Sequence, residues 1–149
     1  MRFRNAVIVM TGAVAIASAR VALRAGQETT KTTWDGVYSG AQAQKGEALY
    51  SDKCAKCHGP DGSGGDAPEL VGGGFASDWD GLAVAQLFDR TRIGMPQDSP
   101  GSLTRDEAAV IVAYLLKLNS FPAGQNDLPT AGEYLSQIKY VAVKPAATR

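Results

Sequence analysis

The run Cys54-Ala55-Lys56-Cys57-His58 decides how the rest of the chain is read. Two thiols three positions apart, followed at once by a histidine, form the pattern of a covalent c-type haem attachment site. Each thiol can add across one vinyl group of the haem, and two intervening residues let one helical turn reach both. The next side chain is then carried to one face of the ring, where the neutral imidazole of His58 would be the proximal axial ligand of the iron. Counting removes the competitors. A structural zinc centre wants four Cys or His ligands, and the chain contains only Cys54, Cys57 and His58. A thioredoxin-type pair would stand beside a βαβ pattern, and none is visible. A disulfide across two residues would close a very small loop and leave the histidine without a role.

The sixth ligand follows by elimination. His58 exhausts the histidines, so a bis-histidine haem within one chain is excluded. Methionine occurs at Met1, Met10 and Met95, and the first two fall in a leader that should be removed. Met95 is therefore the one thioether left for the iron. It sits in Gly94-Met95-Pro96, where glycine permits a tight turn after a helix and the proline biases Met95 towards extended backbone. That combination suits the presentation of one side chain from a loop.

Residues 1–26 read as a signal peptide. Arg2 and Arg4 precede an apolar run from Ala6 to Ala19, and Ala17-Ser18-Ala19 offers small residues for cleavage. The run is shorter than the ~20 apolar residues that span a bilayer. A periplasmic protein that is not integral to the membrane after cleavage is expected, which also suits covalent haem attachment. The full chain has 15 basic and 15 acidic residues; cleavage after Ala19 leaves a net charge of −2. Between Gly59 and Pro100, the stretch that should wrap the haem, seven acids face Arg90 and Arg92 for a local net charge of −5. No basic patch suggests nucleic-acid binding.

One helical domain is expected, residues 40–122, between an N-terminal arm (27–39) and a C-terminal extension (123–149). Ser39-Gly40-Ala41-Gln42 has the form of a capping box with Tyr38 as its staple. The helix that follows carries Ala43, Gly46, Tyr50, Cys54 and Cys57 at spacings of three and four. Gly59 to Gly74 reads as irregular loop, with the triple glycine 72–74 as flexible connection. Within and just after it, Pro68, Leu70 and Phe75 are candidates to lie against the ring, and Trp79 to pack there with its indole donor near a haem propionate. Leu82 to Ile93 reads as a second helix with its inner side at Leu82, Ala83, Leu87, Phe88 and Thr91, and with Asp80 as cap. Thr104-Arg105-Asp106-Glu107 is a second capping box, opening a helix that presents Val110, Ile111, Tyr114, Leu115 and Leu118. Tyr114 is predicted to cross Gly46 and Tyr50. In the extension, Tyr134, Leu135 and Ile138 mark a short helix that could fold back onto the domain or onto a partner.

This order of parts, from Gln42 to Leu118, resembles the class I (mono-haem) c-type cytochromes. The resemblance implies an all-α fold, with the first and last helices crossing and one haem c covalently bound. It further implies that Pro60 offers its carbonyl to His58 Nδ1 and fixes the ring. Trp34-Asp35-Gly36-Val37-Tyr38 and Met95-Pro96-Gln97-Asp98, with the long tail, look like bacterial cytochromes that accompany quinoprotein dehydrogenases. With His58 and Met95 both bound, the iron has no open position, so the expected function is electron transfer between a periplasmic dehydrogenase and a downstream oxidase or other cytochrome. The rival is a haem subunit with a labile Met95, acting as peroxidase or small-ligand sensor. It would need a polar distal group, and only Arg90 or Arg92 could serve.

Overall fold

The computed structural model describes residues 31–146. The expected leader, with Met1 and Met10, and residues 27–30 of the arm lie outside the described residues. Six helices and one small strand pair follow in order: β1 (Lys31–Thr32), α1 (Gly40–Lys53), α2 (Ala55–His58), α3 (Gly72–Trp79), α4 (Val84–Gly94), α5 (Arg105–Leu118), α6 (Gly132–Leu135) and β2 (Ile138–Lys139). The fold is all-α, and its core is centred on α5, which buries Ala108, Ala109 and every residue from Ile111 to Leu116.

Helix α5 starts where the sequence says it should. Thr104 Oγ1 accepts from Glu107 N at 3.2 Å, and the Glu107 carboxylate accepts from Thr104 N at 2.8 Å, so both halves of the box are made. These bonds hold the Glu107 carboxyl below its usual range. Helix α1 crosses α5 at Gly46. A Cβ there would run into the Val110 carbonyl oxygen, with the carbonyl carbon at 2.6 Å and Tyr114 Cβ at 2.9 Å. Only a hydrogen side chain lets the two backbones approach that closely. One turn on, the rings of Tyr50 and Tyr114 meet at 5.2 Å, as expected.

Three local expectations are corrected. The N-terminal box of α1 is half made: Ser39 Oγ accepts from Gln42 N at 3.0 Å, but the Gln42 side chain is drawn elsewhere. Its amide exchanges both of its hydrogen bonds with the backbone of Leu128, at 3.0 and 2.7 Å, because the tail brings a buried backbone N–H and carbonyl within its reach. The triple glycine is the first turn of α3 rather than a flexible connection. Phe75 and Trp79, four residues apart, share one inward face, and their packing at 6.1 Å outweighs the poor helix propensity of glycine. Asp80 does not cap the next helix, which begins later, at Val84, after an Ala83 that has no capping side chain. The Asp80 carboxylate instead accepts from Ala142 N at 2.8 Å, and Leu82 is left exposed.

The extension folds back onto the domain. Leu128, Leu135, Ile138 and Tyr140 are buried in the same core as α5. β2 runs parallel to β1, and Thr33 N donates to Lys139 O at 3.0 Å. The Trp34 indole N–H donates to Val141 O at 2.7 Å, and Gly124 N donates to Tyr38 O at 2.7 Å. Two residues per strand leave no alternation to read in advance. No helix among the described residues is long and apolar enough to cross a membrane.

Candidate haem-binding site

Helix α1 stops at Lys53, and Cys54 stands in the joint before α2 with φ −121° and ψ −39°. The joint is nonetheless bonded through: Cys54 N donates to Tyr50 O, and Cys57 N and His58 N both donate to Cys54 O. The five motif residues therefore occupy one continuous turn, as their spacing requires. Both cysteines are free thiols. Burial, partly opposed by Lys53, pushes the Cys54 thiol up to about 11, which is unlike the depressed values of redox-active thiolates.

His58 is oriented by a carbonyl ten residues later. Its Nδ1–H donates to Pro68 O at 2.7 Å, which leaves Nε2 as the ring nitrogen with a free lone pair. This corrects the assignment of Pro60 to that role. Pro60 is exposed in the turn directly after α2, too close along the chain to return its carbonyl to the ring. The loop reverses beyond it instead. Gly64 N donates to His58 O at 2.9 Å and Ala67 N to Cys57 O at 3.0 Å, and that reversal delivers Pro68. Leu70, half-buried, follows with its N–H on Gly62 O, while Asn119 Nδ2 donates to Leu70 O at 2.9 Å and ties the loop to the end of α5. Cys54, Cys57, His58, Pro68 and Leu70 are thus brought together. Trp79 lies further on, at the end of α3 against Phe75.

Met95 is the residue directly after α4. Its N–H still donates to Thr91 O, and its backbone then turns extended, with φ −125° and ψ 154°, as the following proline demands. Lys56, inside the motif, stands 3.9 Å from Asp98, so the loop carrying Met95 reaches the attachment turn. Three residues before Met95, Arg92 Nε is buried without a hydrogen-bond partner among the described residues. Sequence reasoning weighed this arginine only as a distal acid–base substitute. Its isolation from protein acceptors was invisible there, because pairing depends on which side chains the fold brings near.

The donor set fits a haem. Two unpaired thiols, one histidine with a single free ring nitrogen, one thioether at a helix end and one half-buried arginine whose Nε lacks an acceptor among the described residues are what a porphyrin with two vinyls, an iron and carboxylates would occupy. Among the described residues no group of three or more His, Cys, Asp or Glu is arranged to hold a bare metal ion.

A family model described as cytochrome C oxidase, cbb3-type, subunit III, matches residues 41–115, half of the chain. That range takes in α1, the motif, Met95 and most of α5. No curated protein matches the chain. Among solved structures, the sulfane dehydrogenase SoxCD from Paracoccus pantotrophus is similar, with a TM-score of 0.47 and 24% identity, over 84% of this chain and 68% of that one.

Proposed function

We propose an electron-carrying role for this chain, which belongs to the class I c-type cytochromes through the cbb3-type subunit III family. Haem c, covalently bound, is its cofactor. When bound, that group supplies an iron that changes oxidation state by one electron. The finer reading assigns the parts. Cys54 and Cys57 would make the two thioether links. His58, held by Pro68 O, would hold the iron through Nε2, and Met95 would hold it through its sulfur. A thioether axial ligand favours the ferrous state and raises the potential. With both positions filled by residues on a rigid turn and a helix end, little rearrangement accompanies the change of charge.

The observation that carries this reading is the His58–Pro68 hydrogen bond at 2.7 Å. It has no purpose in a thiol redox site, and a carbonyl on Nδ1 fixes the ring so that Nε2 would face an iron. Donor and acceptor are read as a periplasmic dehydrogenase and an oxidase or another cytochrome. The acids between Gly59 and Pro100 are all exposed, which supports docking to a basic or neutral partner surface. Association rates indifferent to ionic strength would remove that electrostatic part.

The test is spectroscopic. The purified holoprotein should show a far-red sulfur-to-iron band when oxidised, and Met95→Ala should abolish it, lower the midpoint potential and open the iron to cyanide. An unchanged spectrum in Met95→Ala would leave attachment intact and end the carrier assignment. Replacing both cysteines by alanine should leave the polypeptide without covalent pigment.

A further inference from the structure

Among the described residues two buried side-chain polar atoms lack a hydrogen-bond partner, Arg92 Nε and the Tyr140 hydroxyl. The tyrosine is the sharper case, because the chain contains its own controls. Tyr38 and Tyr50 are as deeply buried, and each donates its hydroxyl hydrogen to a backbone carbonyl, Phe121 O at 2.6 Å and Gly59 O at 2.8 Å. Tyr140 is 1% exposed and donates to nothing.

Its surroundings are aromatic and belong to the segment that joins His58 to Met95. Phe121 meets the ring edge-on at 5.0 Å and Phe75 at 6.4 Å, and Phe75 in turn packs on Trp79. Tyr140 N donates to Leu82 O at 2.8 Å, and Gly81 N donates to Tyr140 O at 2.9 Å. Tyr140 therefore stands at the junction of α3 and α4, in the stretch of chain that runs from His58 to Met95, although it is supplied by the extension. Asp80 is the charged group that bears on it, and one of its oxygens already accepts from Ala142 N. Burial holds the phenol proton to about 12, so the group is a donor at any physiological pH. Native proteins rarely bury a donor without an acceptor, because the lost hydration is not recovered.

Resting on the haem reading above, we propose that Tyr140 donates its hydroxyl hydrogen to a carboxylate of the haem. The C-terminal segment, which lies outside the 41–115 match, is then a wall of the haem pocket. Tyr140 is a positioning residue, acting on the cofactor's periphery and on the charge the iron experiences.

Tyr140→Phe in the full holoprotein removes one oxygen and keeps the ring. Haem content should be unchanged, the haem carboxylate bending mode in the resonance Raman spectrum should move, and the midpoint potential should fall as the carboxylate charge loses its donor. Asp80→Asn should leave the mode as it is and should not lower the potential. A Tyr140→Phe holoprotein with an unmoved mode and potential overturns the proposal, as does Asp80→Asn reproducing the Tyr140→Phe shift. Should Tyr140→Phe not accumulate, fluorotyrosine incorporation keeps the side-chain volume and strengthens the hydroxyl as donor. The mode should then move in the opposite sense, and no movement overturns the proposal. Absence of covalent haem from the unaltered protein would instead defeat the reading on which the proposal rests.

Discussion

The chain closes on itself twice, and the two closures are built differently. Where α1 crosses α5, a glycine removes the side chain that would hold the backbones apart, and two tyrosines fill the space one turn on. Where residues 31–38 meet the extension, contact runs through the backbone: the parallel pair β1–β2, Trp34 to Val141 and Gly124 to Tyr38. A second close approach sits there, since a Cβ on Gly124 would strike the Gly36 carbonyl oxygen, with its carbon at 2.8 Å. The first closure is a matter of side-chain volume at helical spacing. The second is a matter of pairing between segments more than eighty residues apart.

The largest effect is expected at the crossing. Gly46→Ala should cost more than ~3 kcal/mol in chemical denaturation of the holoprotein, the upper end of overpacking penalties, because the obstruction is rigid backbone. This runs against propensity, which favours alanine over glycine in a helix by ~1 kcal/mol. A neutral result would mean that the helices do not cross there. Gly124→Ala should cost less, about 1–2 kcal/mol, because Gly124 is half-buried whereas Gly46 is buried between two helices. Equal losses at the two sites would erase the distinction between the closures. Thr104→Ala, which opens the capping box of α5, should cost about 1 kcal/mol.

A pH series separates the crossing from the rest. Burial, helped by nearby Cys54, Tyr114 and Asp61, pushes the Tyr50 phenol from 10.0 up to about 12. Between those values the unfolded chain loses a proton that the folded one keeps, so stability is full below about pH 10 and falls as pH rises towards 12. Tyr50→Phe should lessen that alkaline slope, with Tyr140 supplying the remainder, and leave the neutral region's shape alone, measured as denaturation midpoints across the range. The smallest effect is expected at Lys56 and Asp98. Both are exposed, so Asp98→Asn should change stability by less than ~0.5 kcal/mol.

Much of the site was legible before any coordinates. Cys54, Cys57 and His58 are neighbours in sequence, so their chemistry survives without tertiary knowledge, and Met95 was reachable because the chain holds so few sulfur atoms. The Gly46–Tyr50–Tyr114 crossing could be read because helical period and residue size are local properties. The resemblance implied Pro60 for the carbonyl on His58, whereas the loop reverses at Gly64 and brings the later carbonyl of Pro68 back. Helix α3 was missed because its glycines speak against a helix and only the burial of Phe75 speaks for one.

By itself the sequence determined the attachment motif, the iron's candidate ligands and the helices flanking them, all of which follow from residue type and spacing over a few turns. Tertiary structure alone decided which carbonyl orients His58, where Asp80 and Gln42 spend their hydrogen bonds, and that the extension lies on the domain with the Tyr140 hydroxyl buried and unpartnered. Those outcomes depend on which distant backbone groups meet. A one-dimensional pattern carries no record of such meetings, since any N–H can pair with any carbonyl that the fold brings within reach.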